Sequence, residues 1–172
     1  MRATHSFNYP MKRLIILRHA KASWDDHNLN DFNRHLSKRG ELNSVLMGKF
    51  INSKQGKPDL IITSSATRAY ATAKIIAELV GYTIDEIITN QELYLAWIND
   101  LLKTIAKLPH HIQTCLMVGH NPGLTDLINY FGVRLDYLPT ASAVCFEFDT
   151  SEWSKISKEN SNLEWYQFAK DL

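Results

Sequence analysis

Leu14-Ile-Ile-Leu17, followed directly by Arg18 and His19, is the stretch from which the fold can be read. It has no polar face, and a short apolar run of this kind is typical of a strand that is covered on both sides. Leu60-Ile-Ile62 and Cys115-Leu-Met-Val118 have the same character. We therefore predict three central strands, with further strands at Ile87-Ile88 and over residues 143–146 and 163–168.

Four stretches with apolar residues at helical spacing lie between these strands. We predict that Ser37 caps the first helix, that Gly81 ends the second and that Pro109 follows the third. The fourth helix is expected to have Asn121 as its N-cap and Pro122 as its first residue. Strands that alternate with helices predict an α/β fold, here a three-layer α/β/α sandwich with a mixed, mainly parallel central sheet.

Length and composition limit the class of protein. The chain has 172 residues, with 19 Lys and Arg against 18 Asp and Glu, a formal charge of +1. We predict one domain over residues 11–172, preceded by a polar extension over residues 1–10. Without a basic stripe, nucleic-acid binding is not expected. No apolar run approaches the ~18 residues of a membrane helix, and two separate cysteines fit a reducing compartment, so we expect a cytoplasmic protein.

The small net charge is an average over an uneven distribution. Residues 12–39 contain seven Lys and Arg but only three Asp, a local charge of +4 around Arg18 and His19. This segment includes a polar stretch over residues 19–36 that is too long for an ordinary connection, and such loops are usually functional or mobile. The sequence thus predicts a short cationic segment, sufficient to attract one anionic group.

The residues after the apolar runs share a chemical theme. In chain order they are Arg18, His19, Ser64, Arg68, Glu92, His120 and Asn121. Ligands of open α/β sheets bind at the carboxyl ends of the strands, so we expect these residues to converge. Arginine pairs bidentately with phosphoryl oxygens, helix N-termini such as those near Ser64 and Asn121 bind anions, and neutral imidazole is a competent nucleophile. The set predicts phosphoryl transfer without a metal, because cationic side chains can supply the charge.

Three motifs also resemble those of the histidine phosphatase superfamily, known also as the phosphoglycerate mutase-like family. Leu17-Arg-His-Ala-Lys-Ala22 resembles its Arg-His-Gly signature, with Ala20 in place of glycine. Ser64-Ser-Ala-Thr-Arg-Ala69 resembles its second arginine motif, and Val118-Gly-His-Asn-Pro122 resembles its second-histidine motif. Within the superfamily, segments 34–40, 92–96 and 138–142 are similar to the SixA-type phosphohistidine phosphatase branch. The resemblance extends over about residues 14–148.

The resemblance implies roles for individual residues. His19 would accept the phosphoryl group, while Arg18, Arg68 and His120 would hold its oxygens. Glu92 matches the position where many members keep a proton donor. Arg34 would add a contact from the long loop. Apart from the resemblance, the helix N-termini near Ser64 and Asn121 predict that these two residues take part in substrate binding. Simpler interpretations remain open for three of these residues: Glu92 as a surface carboxylate, Arg34 as a solvated loop residue and Asn121 as a helix cap only.

The implied activity is that of a metal-independent phosphatase without a cofactor. Its expected partner is a protein that carries phosphohistidine, because about 135 residues of matched core leave little length for a lid. Two alternatives stay open: a phosphatase for small phosphate esters, and a non-catalytic module that binds phosphate. We expect no membrane partner, and the sequence predicts nothing about oligomeric state.

Overall fold

The computed structural model describes residues 10–172 and contains a six-stranded sheet. Its strands are β1 (Lys12–Arg18), β2 (Leu60–Ser64), β3 (Ile88–Asn90), β4 (Thr114–Gly119), β5 (Ala143–Phe148) and β6 (Ser161–Gln167). The order is β3-β2-β4-β1-β5-β6; β1 to β4 are parallel, β5 is antiparallel to β1, and β6 is antiparallel to β5. The mixed, mainly parallel sheet is confirmed, and the three apolar runs form interior strands. The predicted extension over residues 1–10 lies outside the described residues, except for Pro10.

Helices cover both faces of the sheet. They are α1 (Lys38–Lys54), α2 (Thr67–Val80), α3 (Ile98–Ala106) and α4 (Gly123–Tyr130). Ile15 and Leu17 pack with α1 and α2, whereas Leu14 and Ile16 pack with α3 and α4. All four side chains are fully buried, and each such burial stabilises the fold by roughly 1.5–3 kcal/mol. Successive side chains of β1 thus point to opposite faces of the sheet, and this one strand contributes to both layers of the core.

The helix ends show one departure from expectation. Ser37 caps α1 by accepting a hydrogen bond from the Gly40 N–H at 3.0 Å, as predicted. Asn121 is not the N-cap of α4: Pro122 occupies that position, without a side-chain cap. The Asn121 side chain instead accepts a hydrogen bond from Thr125 Oγ1 at 2.9 Å and donates one to the Leu138 carbonyl at 2.8 Å. These contacts use the amide that a cap would need.

The long polar segment between β1 and α1 is closed at its base. The Lys21 carbonyl accepts hydrogen bonds from the Ser37 N–H at 2.9 Å and from its hydroxyl at 3.0 Å, and Ala22 pairs with Leu36. Gly40 allows this close approach, because a Cβ there would lie 2.2 Å from the Lys21 oxygen. Residues 23–35 therefore form a loop whose base is fixed. The base begins at Lys21, two residues after His19.

Candidate active site

The carboxyl ends of three neighbouring parallel strands bring four of the predicted side chains together. Arg18 ends β1 and His19 follows it; Arg68 lies in the first turn of α2, after β2; His120 directly follows β4. Arg18 is in register with Gly119 on the adjacent strand, so His19 and His120 leave the sheet side by side. Their ring centroids are 4.9 Å apart. All but Arg18 are buried.

His19 is held in one orientation and one tautomer. Its Nδ1 lies 2.8 Å from the Ala20 carbonyl oxygen, which can only accept, so Nδ1 carries the proton. Nε2 is then unprotonated, and its lone pair accepts a hydrogen bond from Arg68 Nε–H at 3.3 Å. The backbone is fixed as well: the Ala141 N–H donates to the carbonyls of both Arg18 and His19 at 3.1 Å. The unprotonated ring nitrogen is therefore directed at the arginine.

His120 has the opposite tautomer. Its Nδ1 lies 3.5 Å from Arg68 Nη2, a group that can only donate, so Nδ1 is unprotonated in the neutral ring. Nε2–H accordingly donates to Ser64 Oγ at 2.8 Å. Ser64, predicted to bind substrate, is fully buried and orients His120 in this structure.

Burial keeps both imidazoles neutral. It lowers the pKa of His19 to about 4, with help from the charges of Arg68 and Arg18 and against the hydrogen bond to Ala20. Burial also lowers the pKa of His120 to about 3, assisted by His19 and Arg68. Desolvation disfavours a cationic ring, and nearby guanidinium groups disfavour it further. At neutral pH the positive charge of the site thus belongs to the arginines, and the histidine lone pairs remain available.

Arg18 has a buried hydrogen-bond donor without a partner among the described residues. Its Nη1 donates to the Leu138 carbonyl at 3.0 Å, the same oxygen that Asn121 contacts, and its guanidinium lies 4.9 Å from the centre of the Tyr137 ring. Its buried Nε has no hydrogen-bond partner within residues 10–172. An unsatisfied buried donor costs about 1–3 kcal/mol, a cost that is typical of functional sites and that a bound anion would remove.

Asp31 and Tyr94 belong to the site, although the sequence did not single them out as site residues. Asp31 Oδ2 accepts hydrogen bonds from Arg68 Nη2 at 3.0 Å and from the Tyr94 hydroxyl at 2.6 Å, and its carbonyl accepts from Arg68 Nη1. Burial would raise the pKa of Asp31, but the hydrogen bonds from Tyr94 and Arg68 outweigh it and lower the pKa to about 2. Two features of the sequence could have indicated these residues: the unusual length of the loop that carries Asp31, and the position of Tyr94 two residues after Glu92.

Arg68 is a cation at the N-terminal end of α2, an unfavourable position that its contacts with Asp31 compensate. Placing a positive charge there costs about 0.3–1 kcal/mol through the helix dipole. The hydrogen bond from Arg68 Nη1 to the Asp31 carbonyl, in which the donor is charged, contributes about 1.5–3 kcal/mol. Because the Asp31 side chain is 46% exposed, the ion pair itself adds only up to about 1 kcal/mol. A phosphoryl dianion would thus compete effectively for these donors.

Arg34 contacts the site indirectly, through Asp31, which in turn binds Arg68. Its Nη1 lies 3.3 Å from Asp31 Oδ1, its Nε donates to the Ser23 carbonyl at 3.2 Å, and its guanidinium stacks on the Trp24 ring at 3.2 Å from the ring centre. It makes no contact with His19, Arg68 or His120 in the part of the chain that the structure describes. Arg34 therefore holds Asp31 and the loop rather than the phosphoryl position.

Glu92 does not lie in this cluster, so the structure does not support its assignment as proton donor. It is exposed in a single 3-10 turn (Gln91–Leu93) after β3 and lines a separate cavity of about 620 Å³ with Asp100 and Lys103. The turn directs Tyr94 towards His120, at 5.3 Å between ring centres, and leaves Glu92 facing the other cavity. Within residues 10–172, Glu92 forms no ion pair or side-chain hydrogen bond with the four clustered residues.

Over residues 10–172, no three His, Cys, Asp or Glu side chains are grouped so that they could hold a metal ion. In this part of the chain, each helix is too short or too polar to cross a membrane.

Comparison with known proteins identifies the family. The sequence profile of the histidine phosphatase superfamily (branch 1) matches residues 14–121, which include Arg18, His19, Arg68 and His120. The chain belongs to the histidine phosphatase superfamily. It is 30% identical over 152 residues to an uncharacterised chloroplastic protein of Arabidopsis thaliana, an alignment that covers 84% of this chain and 70% of that one.

Solved structures show the same fold. The protein histidine phosphatase SixA complexed with tungstate superposes with a TM-score of 0.76 at 16% identity, over 92% of this chain and 98% of that one. A protein of Agrobacterium tumefaciens assigned as phosphohistidine phosphatase SixA gives 0.76 at 24% identity, over 91% and 97%. The resemblance to the SixA-type branch is thus confirmed at the level of the fold.

The two tautomers and low pKa values can be tested by nuclear magnetic resonance of ring nitrogens. At pH 7 we expect His19 to be neutral with its proton on Nδ1, and His120 to be neutral with its proton on Nε2. Both should stay neutral down to about pH 5, because their pKa values are about 4 and about 3. Spectra of the His19→Gln and His120→Gln variants would assign the signals.

The same shifts set the direction of a stability change. Unfolded histidine has a pKa near 6.5 and binds protons below it, whereas the folded rings do not until about pH 4. The free energy of unfolding should therefore fall as the pH decreases from about 7 to 4, and the His19→Gln variant should lose less over this range. A His19 midpoint near 6.5, or protonation of its Nε2 at pH 7, would contradict this electrostatic description.

Proposed function

We propose that this superfamily member is a phosphatase that works through a phosphohistidine formed at His19. The observation that carries the proposal is the His19 ring itself, buried and neutral, with Nδ1–H donated to Ala20 and the lone pair of Nε2 directed at Arg68. A neutral nitrogen with an unprotonated lone pair is the form that attacks phosphorus. A site that only binds phosphate would gain from a cationic histidine and would not need this arrangement.

In the first step, His19 Nε2 attacks phosphorus in line with the leaving group. The P–Nε2 bond forms as the bond to the leaving group breaks, and the leaving group takes a proton from an acid in the site or from water. Arg68 and the unpartnered Nε–H of Arg18 are donors available to the phosphoryl oxygens. His120, whose Nε2–H donates to Ser64, can share that N–H with a phosphoryl oxygen. Charge on the transferring group is thereby stabilised by donors that are already in position.

In the second step, water attacks the phosphorus of phospho-His19, and the P–Nε2 bond breaks. Inorganic phosphate leaves, and His19 returns to its neutral Nδ1-protonated form. The fixed charges of two arginines can perform the neutralisation that divalent metals provide in other phosphatases. We therefore propose turnover without added metal, and activity that persists in the presence of a chelator would support this point.

We further propose that the substrate is a protein that carries phosphohistidine. A cationic pocket of about 370 Å³ lies beside Arg18, lined by Lys21, Arg39 and Lys170 but by no Asp or Glu among the described residues. Tyr137 connects the two sites, because it lines this pocket and stacks on the Arg18 guanidinium. Acidic side chains around a phosphohistidine would suit such a surface. The likeness to the protein histidine phosphatase SixA supports the same substrate class.

A reducing compartment such as the cytoplasm fits this proposal. Cys115 and Cys145 are both buried and form no disulfide in the described residues. Buried free thiols of this kind are typical of reducing compartments.

The covalent intermediate can be trapped in a single turnover. After mixing with a radiolabelled phosphohistidine protein and quenching with alkali, the wild type should carry label that acid removes. The His19→Ala variant should carry none and lose about 10³-fold or more in activity, as expected for removal of a nucleophile. His111→Ala, at an exposed histidine, is the matched control and should behave as the wild type. A folded His19→Ala protein that still forms an acid-labile adduct would overturn the assignment.

The substrate class can be tested through the cationic pocket. Replacing Lys21 and Lys170 with Glu should raise KM for the phosphohistidine protein by about tenfold or more, because charge reversal opposes an acidic surface. Turnover of a small aryl phosphate should be unchanged, since it does not reach the pocket. Lys155→Glu is the control, because Lys155 follows β5, whose end pairs with the start of β1, away from the carboxyl ends of the parallel strands. If the wild type strongly prefers small sugar phosphates, the small-ester alternative is the correct one.

A further inference from the structure

A carboxylate reaches the site from the long loop. Asp31 lies in a 3-10 turn (Asp31–Asn33) that is capped by the Asn30 side chain, and its Oδ2 accepts from both Arg68 and Tyr94. Within residues 10–172, no other Asp or Glu forms a hydrogen bond or ion pair with Arg18, His19, Arg68 or His120. Among the described residues, Asp31 is therefore the carboxylate that contacts the cluster, and it is supplied by a loop and not by the end of a strand.

The position of Asp31 is set by the same arginine that would hold the phosphoryl group. Arg68 directs Nε at His19, and its Nη2 lies between Asp31 Oδ2 at 3.0 Å and His120 Nδ1 at 3.5 Å. A phosphoryl group bound between His19 and Arg68 would take over these donors and leave the carboxyl group at its edge. Asp31 would then flank the bond that breaks in the first step.

Tyr94 and Arg34 can keep the carboxyl group in place during that exchange. The Tyr94 hydroxyl donates to Asp31 Oδ2 at 2.6 Å, and Arg34 lies 3.3 Å from Oδ1. The Tyr94 ring also packs edge-on against Phe32 in the loop, at 5.0 Å, and against His120. Asp31 can thus release Arg68 without losing all of its partners.

We propose that Asp31 is the general acid and base of the reaction, an inference that rests on the proposed function. In the first step, protonated Asp31 donates its proton to the leaving nitrogen or oxygen as the bond to phosphorus breaks and the P–Nε2 bond forms. In the second step, the Asp31 carboxylate takes a proton from water as the water oxygen attacks phosphorus. The P–Nε2 electron pair returns to His19, and Asp31 ends protonated. It loses this proton to solvent as phosphate leaves and takes one up again when the next phosphoryl dianion binds.

The charges around Asp31 permit both states. In the resting site the hydrogen bonds from Tyr94 and Arg68 outweigh burial and hold its pKa at about 2, so it is ionised. A phosphoryl dianion would bind Arg68 in its place and add negative charge beside it, and both changes raise the pKa of a carboxyl group. Burial and Asp31 itself raise the pKa of Tyr94, which therefore remains a donor. The neighbouring His19 and His120 are neutral and do not oppose protonation of Asp31.

The matched pair Asp31→Asn and Glu92→Gln tests this role. Single-turnover rates would be measured for a series of aryl and alkyl phosphates whose leaving groups differ in pKa. In Asp31→Asn, transfer from poor leaving groups should slow by about 10²-fold or more, whereas transfer from p-nitrophenyl phosphate should change only a few-fold. The dependence of rate on leaving-group pKa should steepen, and phosphoenzyme should accumulate because its hydrolysis loses the base. Glu92→Gln should match the wild type, and Asp31→Glu should restore the shallow dependence.

The possible results separate the hypotheses. If Asp31→Asn slows all leaving groups by the same factor, Asp31 only positions Arg68, and the inference is wrong. If Glu92→Gln steepens the dependence instead, the proton donor is Glu92. If the wild type forms no phosphoenzyme, both the proposed function and this inference are overturned, whereas an unchanged slope in an Asp31→Asn protein that forms phosphoenzyme overturns the inference alone.

Discussion

The hydrogen bond from His19 Nδ1–H to the Ala20 carbonyl is the interaction on which the rest of the site depends. It places the proton on Nδ1 and leaves the lone pair of Nε2 facing Arg68. Burial and two arginines then keep the ring neutral. None of this would hold if the backbone beyond β1 could move, and the Ala141 N–H, which bonds to the carbonyls of both Arg18 and His19, restrains it there. A local backbone constraint thus defines the reactive atom.

A second constraint is electrostatic. The guanidinium groups of Arg18 and Arg68 lie beside two uncharged imidazoles, so the site has an excess of positive charge. Asp31 offsets part of this charge through its ion pair with Arg68. The carboxylate is nearly half exposed, so its ion pair with Arg68 is weak enough to exchange for a phosphoryl oxygen. The loop that supplies it begins and ends at a closed base, where Lys21 meets Ser37 and Gly40. The same segment therefore balances the charge of the free site and faces the incoming group.

The sequence predicts the sheet well because burial leaves a clear pattern. Runs without a polar face, such as Leu14-Ile-Ile-Leu17, have to be covered on both sides, and parallel strands have to end at a common edge. The convergence of His19, Arg68 and His120 follows from these two facts. Asp31 could not be found in this way, because a polar loop has no periodicity to indicate which of its side chains turns inward. The sequence likewise does not predict whether Glu92 or Tyr94 faces the site, because a single 3-10 turn sets the orientation of both.

The stereochemical course at phosphorus tests the central claim most directly. A substrate whose transferring group is made chiral with sulfur and oxygen isotopes would be hydrolysed, and the configuration of the released thiophosphate would be determined. Each in-line displacement inverts phosphorus, so attack by His19 followed by attack by water predicts overall retention. Overall inversion would mean that water attacks the substrate in one step, and it would contradict a covalent role for His19.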